Sequence, residues 1–228
     1  MKKNGKKTGA FYFVIMGVIS AAIFLGYRAK KRKGIFHKLM EEVAVQYPEK
    51  KDAIEKKAAA LLKIYEKWGK GKPKKVTMHT VKRIYPCIAV YQAMVEMTQD
   101  QEKSYQLIEN YFAKNAAVMA AKIQKICKIP LLYRLIPFIM GKMIHSTFGV
   151  ESGFAMIDRE NNSKVCHIDM TQCPYYNCCK SCGCTELTTA FCNSDDVSYG
   201  NMHPKVSWER TTTLGRGDQC CNFIIRLK

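Results

Sequence analysis

The sequence predicts an α+β fold: an N-terminal transmembrane helix, then a helical, bundle-like region packed on a C-terminal antiparallel sheet. Three observations predict it. Apolar residues recur every three or four positions through the first two-thirds of the chain, alternate with period two in the last third, and run unbroken once near the start. The apolar share of the 228 residues is 47%, ordinary for a globular chain, which excludes disorder throughout.

The unbroken run is Ala10 to Tyr27, which carries no charge. Its length is about the minimum for crossing a hydrocarbon core roughly 30 Å thick. Lys2, Lys3, Lys6 and Lys7 precede it, and Arg28, Lys30, Lys31, Arg32 and Lys33 follow. A cleaved signal peptide would need a small-residue cleavage site, which the bulky "FLGYRAKKRK" lacks, so an anchor is the preferred reading. The flanks lean slightly towards a cytoplasmic C-terminal side. The 11 cysteines are odd in number and include the adjacent pairs Cys178-Cys179 and Cys220-Cys221. Reduced thiols and a reducing compartment suit that pattern better than a disulfide framework. The expectation is a single-pass membrane protein whose domain faces the cytoplasm.

Charge divides the chain into two physical objects. The net charge is +18, yet residues 151–228 hold only 8 Lys and Arg against 9 acids. The surplus lies in the first 150 residues, along helical stretches with no aromatic-interleaved or Arg-rich element of the kind that reads nucleic acid. An anionic membrane surface, at about 1 kcal/mol per nearby Lys or Arg, is the expected partner instead. The implied organisation is residues 1–33 as anchor, 34–75 as a basic amphipathic helical segment with linker, and 76–228 as the α+β domain. Nothing in the sequence fixes an oligomeric state.

Each element has its own signal. "IFHKLMEEVAVQYPEKKDAIEKKAAALLKIYEKW" reads as helix, with Ile54, Ala58, Leu61, Tyr65 and Trp68 forming one stripe. "GKGKPKK" ends it. A second helical region, about Met78 to Met97, is interrupted near Pro86. The strongest helix begins at a capping-box spacing, Thr98 and Gln101, and buries Tyr105, Ile108, Phe112, Ala116 and Met119. "IPLLYRLIPFIMGKMIHSTFG" is a buried or interfacial helix, with a structural His145. "GFAMIDR" and "KVCHIDM" flank the turn cluster "ENNS" as a hairpin, and "KVSWERTTT" with "QCCNFIIRL" makes a second. Between the hairpins the chain is irregular, then helical from about Thr185 to Phe191.

The last sixty residues carry the chemistry. Cys179, Cys182 and Cys184 have a C-x-x-C-x-C spacing that suits a tetrahedral metal, zinc or iron, but lacks a clean second pair. Disulfides, or thiols around a pocket, are the alternatives. Cys192 is followed by Asp195 and Asp196, and a nearby cation or base would activate its thiol. Paired carboxylates push one another's pKa apart, which suits acid–base work, although "SDD" also suits a solvated turn or a helix cap. Arg210 in "WERTTTL" is a surface ion pair or a clamp for a substrate carboxylate.

As a compound pattern, "FCNSDDVSYG … SWERTTTLGRGDQCCNFIIR" resembles the L-2-amino-thiazoline-4-carboxylic acid hydrolase family. The match runs from about Ile157 to Arg226, more loosely upstream from about Ala53, and omits Met1–Lys33. The resemblance implies hydrolytic opening of a small cyclic isothiourea to N-carbamoyl-L-cysteine, without a cofactor. It implies a catalytic set of Cys192, Asp195 and Asp196, and substrate contacts from Arg210, Tyr199 and Thr211. A fainter similarity, to ligand-sensing domains of the 4-vinyl-reductase type, implies a pocket that binds a small ligand or metal without turning it over.

Overall fold

Among the described residues, six α-helices precede the sheet and two more interrupt it. The protein is described here by a computed structural model that covers residues 34–228, which form one compact unit. The helices before the sheet are α1 (Ile35–Gln46), α2 (Lys51–Trp68), α3 (Lys74–His79), α4 (Tyr85–Thr98), α5 (Gln101–Cys127) and α6 (Ile136–Thr147). Strands β1 (Ala155–Asn161) and β2 (Val165–Gln172) follow, then α7 (Pro174–Ser181) and α8 (Thr188–Tyr199), and finally β3 (Val206–Glu209) and β4 (Cys221–Leu227).

The long helical run read from the sequence is two helices. Pro48 crowds the residue before it out of the helical region, and Tyr47 accordingly sits at φ −137°, ψ 61°. Within α2, Ile54, Ala58 and Tyr65 are buried as the stripe requires; Trp68 is 46% exposed, yet its ring lies 4.9 Å from that of Tyr65. The break before Pro86 is a π-helical turn, Thr80–Ile84, after which Pro86 sits in the first turn of α4, where its missing N–H costs nothing. Ile88, Ala89 and Val90 are wholly buried, so α4 is the central helix, apolar on every side.

The cap of α5 is Asp100, not Thr98. Gln99 turns left-handed at φ 56° and ends α4, and Asp100 Oδ1 accepts from Lys103 N at 2.9 Å. Thr98 instead donates back to Met94 O at 2.8 Å, inside the previous helix. Along α5, Ile108 is wholly buried but Met119 is 50% exposed, because the helix outruns the core beneath it.

The sheet has the order β1-β2-β4-β3 and is antiparallel throughout. Both hairpins stand where the alternation put them. Asn162 Oδ1 closes the first turn by accepting from Lys164 N and Val165 N at 2.8 and 3.0 Å. Cys166, Ile168, Met170, Cys221 and Ile225 point to one face and pack with Ile136, Met140 and Ile144 of α6 as one core. Helices α1, α2, α4 and α5 share another with Phe191 of α8. Tyr175 of α7 packs against both, which marks the seam between them.

The single-pass membrane assignment is corrected. Among the described residues no helix is long and apolar enough to cross a membrane. Helix α5 has the length, at 27 residues, but is charged along it; α6 is apolar but spans 12 residues, about 18 Å against the roughly 30 Å required. Ala10 to Tyr27, which carried the expectation, and the 1–33 anchor segment lie outside the described residues.

Candidate functional site

The seam between the cores is where the acids stand. The stretch expected to be irregular holds helix α7 after the bend at Cys173-Pro174, and the following helix continues to Tyr199 rather than stopping at Phe191. That extension places "SDD" on helix α8. Thr188, Cys192, Asp195 and Tyr199, at spacings of four and three, share one face, and Asp196 lies beside them.

Below that face runs the end of β3. Strand alternation turns Trp208 towards α8, where its Nε1 donates to Asp196 Oδ1 at 2.9 Å and its ring lies 5.1 Å from that of Tyr199. Arg210 follows and reaches up. Its Nη2 donates to Asp196 Oδ2 at 2.5 Å and to the Cys192 carbonyl at 2.7 Å, while Nη1 donates to Asp195 Oδ2 at 3.3 Å. The guanidinium carbon lies 5.7 Å from the centre of the Phe223 ring. Only 1% of the Arg210 side chain is accessible, against 40% for Asp195 and 42% for Asp196. The arginine is a buried strut that holds two carboxylates, each reachable by water.

The two acids live in different surroundings. Asp196 accepts charge-assisted bonds from Arg210 and a further one from Trp208. Asp195 has one long bond and is hemmed in by protein. Burial pushes its pKa up to about 7, the Asp196 charge adds to the rise, and the Arg210 charge opposes both. A carboxyl that is partly accessible and still strongly desolvated sits in a recess rather than on a convex surface.

The walls of the recess are neutral at pH 7. Burial pushes the Cys192 thiol up to about 12 against the pull of Arg210. It pushes Cys173 to about 12, and Tyr175 and Tyr199 to about 12, with Asp195 adding to each. A Cβ on Gly215 would lie 3.4 Å from Cys192 Sγ and 3.0 Å from Thr188 Cγ2, so that thiol is packed under the loop between β3 and β4. The three buried polar side-chain atoms without a partner among the described residues, Thr188 Oγ1, Arg210 Nε and Thr213 Oγ1, all belong to these elements. A core built only for stability rarely leaves such atoms unpaired.

Of the residues singled out in the sequence, Cys192, Asp195, Asp196, Tyr199 and Arg210 meet here. Thr211 does not. It is exposed and tied to Asn222 on the other side of β4, its N donating to Asn222 Oδ1 at 2.9 Å and its Oγ1 accepting from Nδ2 at 2.8 Å. Cys179, Cys182 and Cys184 also lie apart, packed among the helices, where Cys184 Sγ donates to the Cys179 carbonyl at 3.5 Å. All 11 cysteines are free thiols, and among the described residues no group of three His, Cys, Asp or Glu is arranged to hold a metal. A groove of about 570 Å³ on the helical side, bordered by Lys57, Tyr91, Glu96 and Glu186, includes Cys184 but none of the acids of α8.

Sequence reasoning missed Cys173, Tyr175 and Trp208. Tyr175 reaches the site from α7, its phenol within 3.3 Å of His79 Nδ1 and its ring 5.1 Å from that of Phe191. Trp208 had a signal, its place next but one to Arg210 on an alternating strand. Tyr175 had none, since the stretch around it shows no apolar period.

Helices backing an antiparallel sheet, with a carboxylate pair held by a buried arginine, define an α+β domain. The chain belongs to the L-2-amino-thiazoline-4-carboxylic acid hydrolase family, whose model matches residues 77–225. At the coarse level it is therefore a member of a hydrolase family. No curated protein matches it. Among solved structures it is similar to the Fe(II) unliganded H-NOX protein from K. algicida, with a TM-score of 0.38 and 11% identity over 85% of this chain and 95% of that one. It is also similar to an H-NOX protein from S. oneidensis in the Fe(II)NO ligation state, with a TM-score of 0.32 and 14% identity over 86% of this chain and 99% of that one. Likeness at that level carries no argument about fold or function.

Proposed function

We propose that the protein opens a small cyclic isothiourea, such as L-2-amino-thiazoline-4-carboxylate, to N-carbamoyl-L-cysteine, with Asp195 as the group that moves protons. The observation that carries this reading is the split between neighbouring acids: Asp196 is bound by Arg210 and Trp208, whereas Asp195, in the recess, titrates at about 7. A carboxyl poised near the working pH is suited both to take and to give a proton.

One water enters the reaction. Its oxygen bonds to the ring carbon between sulfur and nitrogen and becomes the carbonyl of the product urea. Ionised Asp195 takes one proton from that water and passes it to the ring nitrogen; the remaining hydroxyl proton goes to the sulfur as the carbon–sulfur bond breaks. Atoms balance, and no redox partner is needed. Cys192, with its thiol held up to about 12, serves as a wall, and water is the nucleophile. Arg210 orients the acids and does not meet the substrate. This revises the clamp expected from the sequence, because 1% accessibility leaves no room for an incoming carboxylate.

The experiment is thiol release from the thiazoline by the full chain. Asp195→Asn should lose about 10²- to 10⁴-fold in kcat, the usual range for a general acid–base group. A correctly folded Asp195→Asn protein with undiminished turnover would overturn the proton-transfer role.

A further inference from the structure

Away from the acids, one corner of the fold sets cations beside exposed hydrocarbon. Residues 110–150 hold six Lys and Arg and no Asp or Glu. Among the described residues only Lys114 of these six pairs with a carboxylate, that of Glu42 at 2.9 Å. We propose that the second half of α5 and the corner into α6 dock on an anionic lipid surface. Leu131 and Phe138 enter its headgroup layer, and no helix of the corner crosses the bilayer.

The corner is helical on both sides, which fixes its faces. A 3-10 turn, Leu132–Leu135, runs directly into α6. Ile136, Met140 and Ile144, spaced by four, are buried against the sheet. Arg134, Phe138 and Lys142 take the opposite stripe, with Leu131 before them, and all four are exposed. Lys142 Nζ lies 5.7 Å from the centre of the Phe138 ring, so cation and ring stand together. On α5, Val118, Lys122 and Lys125 share an exposed stripe where the helix outruns the core, and Ile129 follows just beyond its end. Leu131 also holds the left-handed φ of 63°, a conformation that a bulky side chain rarely adopts. At 61% exposure its side chain gains little from the fold in return.

The mixture of side chains selects the partner. Near an anionic bilayer each Lys or Arg contributes about 1 kcal/mol, and interfacial helices seat their apolar side chains about 5–10 Å deep at the headgroup boundary. A nucleic acid would satisfy the cations but offer Leu131, Val118 and Ile129 nothing to enter, since aliphatic side chains do not stack on bases. A second copy of the chain would set cation against cation.

The test uses the full chain and vesicles of phosphatidylcholine, with and without phosphatidylserine. In Phe138→Trp, the added emission should shift to the blue on the phosphatidylserine vesicles and be quenched by lipids brominated on their acyl chains. Ile64→Trp, at a 48% exposed site on α2, should do neither. Lys125→Gln, Lys128→Gln and Lys142→Gln should each weaken vesicle partition by about 5-fold, whereas Lys63→Gln, exposed on α2, should change it by less than about 2-fold. Leu131→Asn, which suits the left-handed backbone, should weaken it by about 3- to 10-fold. Quenching that is equal in Phe138→Trp and Ile64→Trp, or absent from both, overturns the proposal. So does a lysine series no different from Lys63→Gln, or a Phe138→Trp emission that vesicles leave unmoved and single-stranded RNA shifts. If Phe138→Trp does not fold, partition of the lysine variants and of Leu131→Asn decides.

Discussion

Asp195 and Asp196 are adjacent in sequence, chemically identical, and separated in role by about an ångström of hydrogen bond. Arg210 reaches Asp196 at 2.5 Å and Asp195 at 3.3 Å, and Trp208 adds its donor to Asp196 alone. With ionised Asp195 as the starting form, kcat/KM should rise with pH through about 7, and Asp195→Asn should lose that limb along with its rate. A pH–rate profile of thiol release checks both. Replacing Arg210 by Met should cost about 1–3 kcal/mol of stability, because the carboxylates and the Cys192 carbonyl lose their shared donor. Water access to both acids limits the cost, so a value near the lower end is expected. Denaturant titration against the wild type reads it. At this scale the sequence was informative: Cys192, Asp195, Asp196, Tyr199 and Arg210 were all named from one motif. What it left out was which carboxylate the arginine takes, since a spacing in a string carries no distances.

Helix α8 is positioned by α5 more than by the sheet. Tyr105 bonds Thr189 at 2.8 Å, Glu109 accepts from Asn193 at 2.7 Å, and the Phe112 ring lies 4.9 Å from that of Phe191. About two turns of α5 thus hold the first half of α8. Phe112→Ala should therefore lower stability by about 1–3 kcal/mol, as a part-buried aromatic does, and should lower thiol release as well, because the face bearing Asp195 loses its backing. Unchanged activity in a measurably destabilised variant would show that the seat of α8 does not matter to the site. Elements with strong periodicity, α2, α5 and the two hairpins, were legible in the sequence. Helices α7 and α8 were less so: "CPYYNCCKSCGC" has no apolar period, and the polar face of α8 looks like a turn until it is seen to line a recess. Thr98 looked like the cap of α5 because its spacing fits, but the left-handed turn at Gln99 hands that role to Asp100.

For the whole molecule, the raised pKa of Asp195 is a statement about stability. Burial moves its pKa from the ordinary 3.8 up to about 7 on folding, so between those values the native state holds a proton that the unfolded chain has lost. The stability this group contributes is full below about 4 and is lost as pH rises through about 7. Denaturation midpoints of wild type and Asp195→Asn should therefore diverge as pH rises from about 4 to about 7, with the variant the more stable, and keep that gap above pH 7. A gap that stays constant from about pH 4 to about 7 would mean that Asp195 is not desolvated in the fold.

The order of helices before strands, the alternation of the two hairpins and the motif that marks the family were all determined by the sequence alone, because periodicity and local turn chemistry act over a few residues. Only the tertiary structure decided that Trp208 joins Asp196, that Thr211 turns to Asn222, and that Cys179, Cys182 and Cys184 pack with the helices. Those outcomes depend on how two cores meet along α7 and α8 and on which face of β4 each neighbour takes. Contacts between residues a hundred positions apart leave no mark on the pattern around either one.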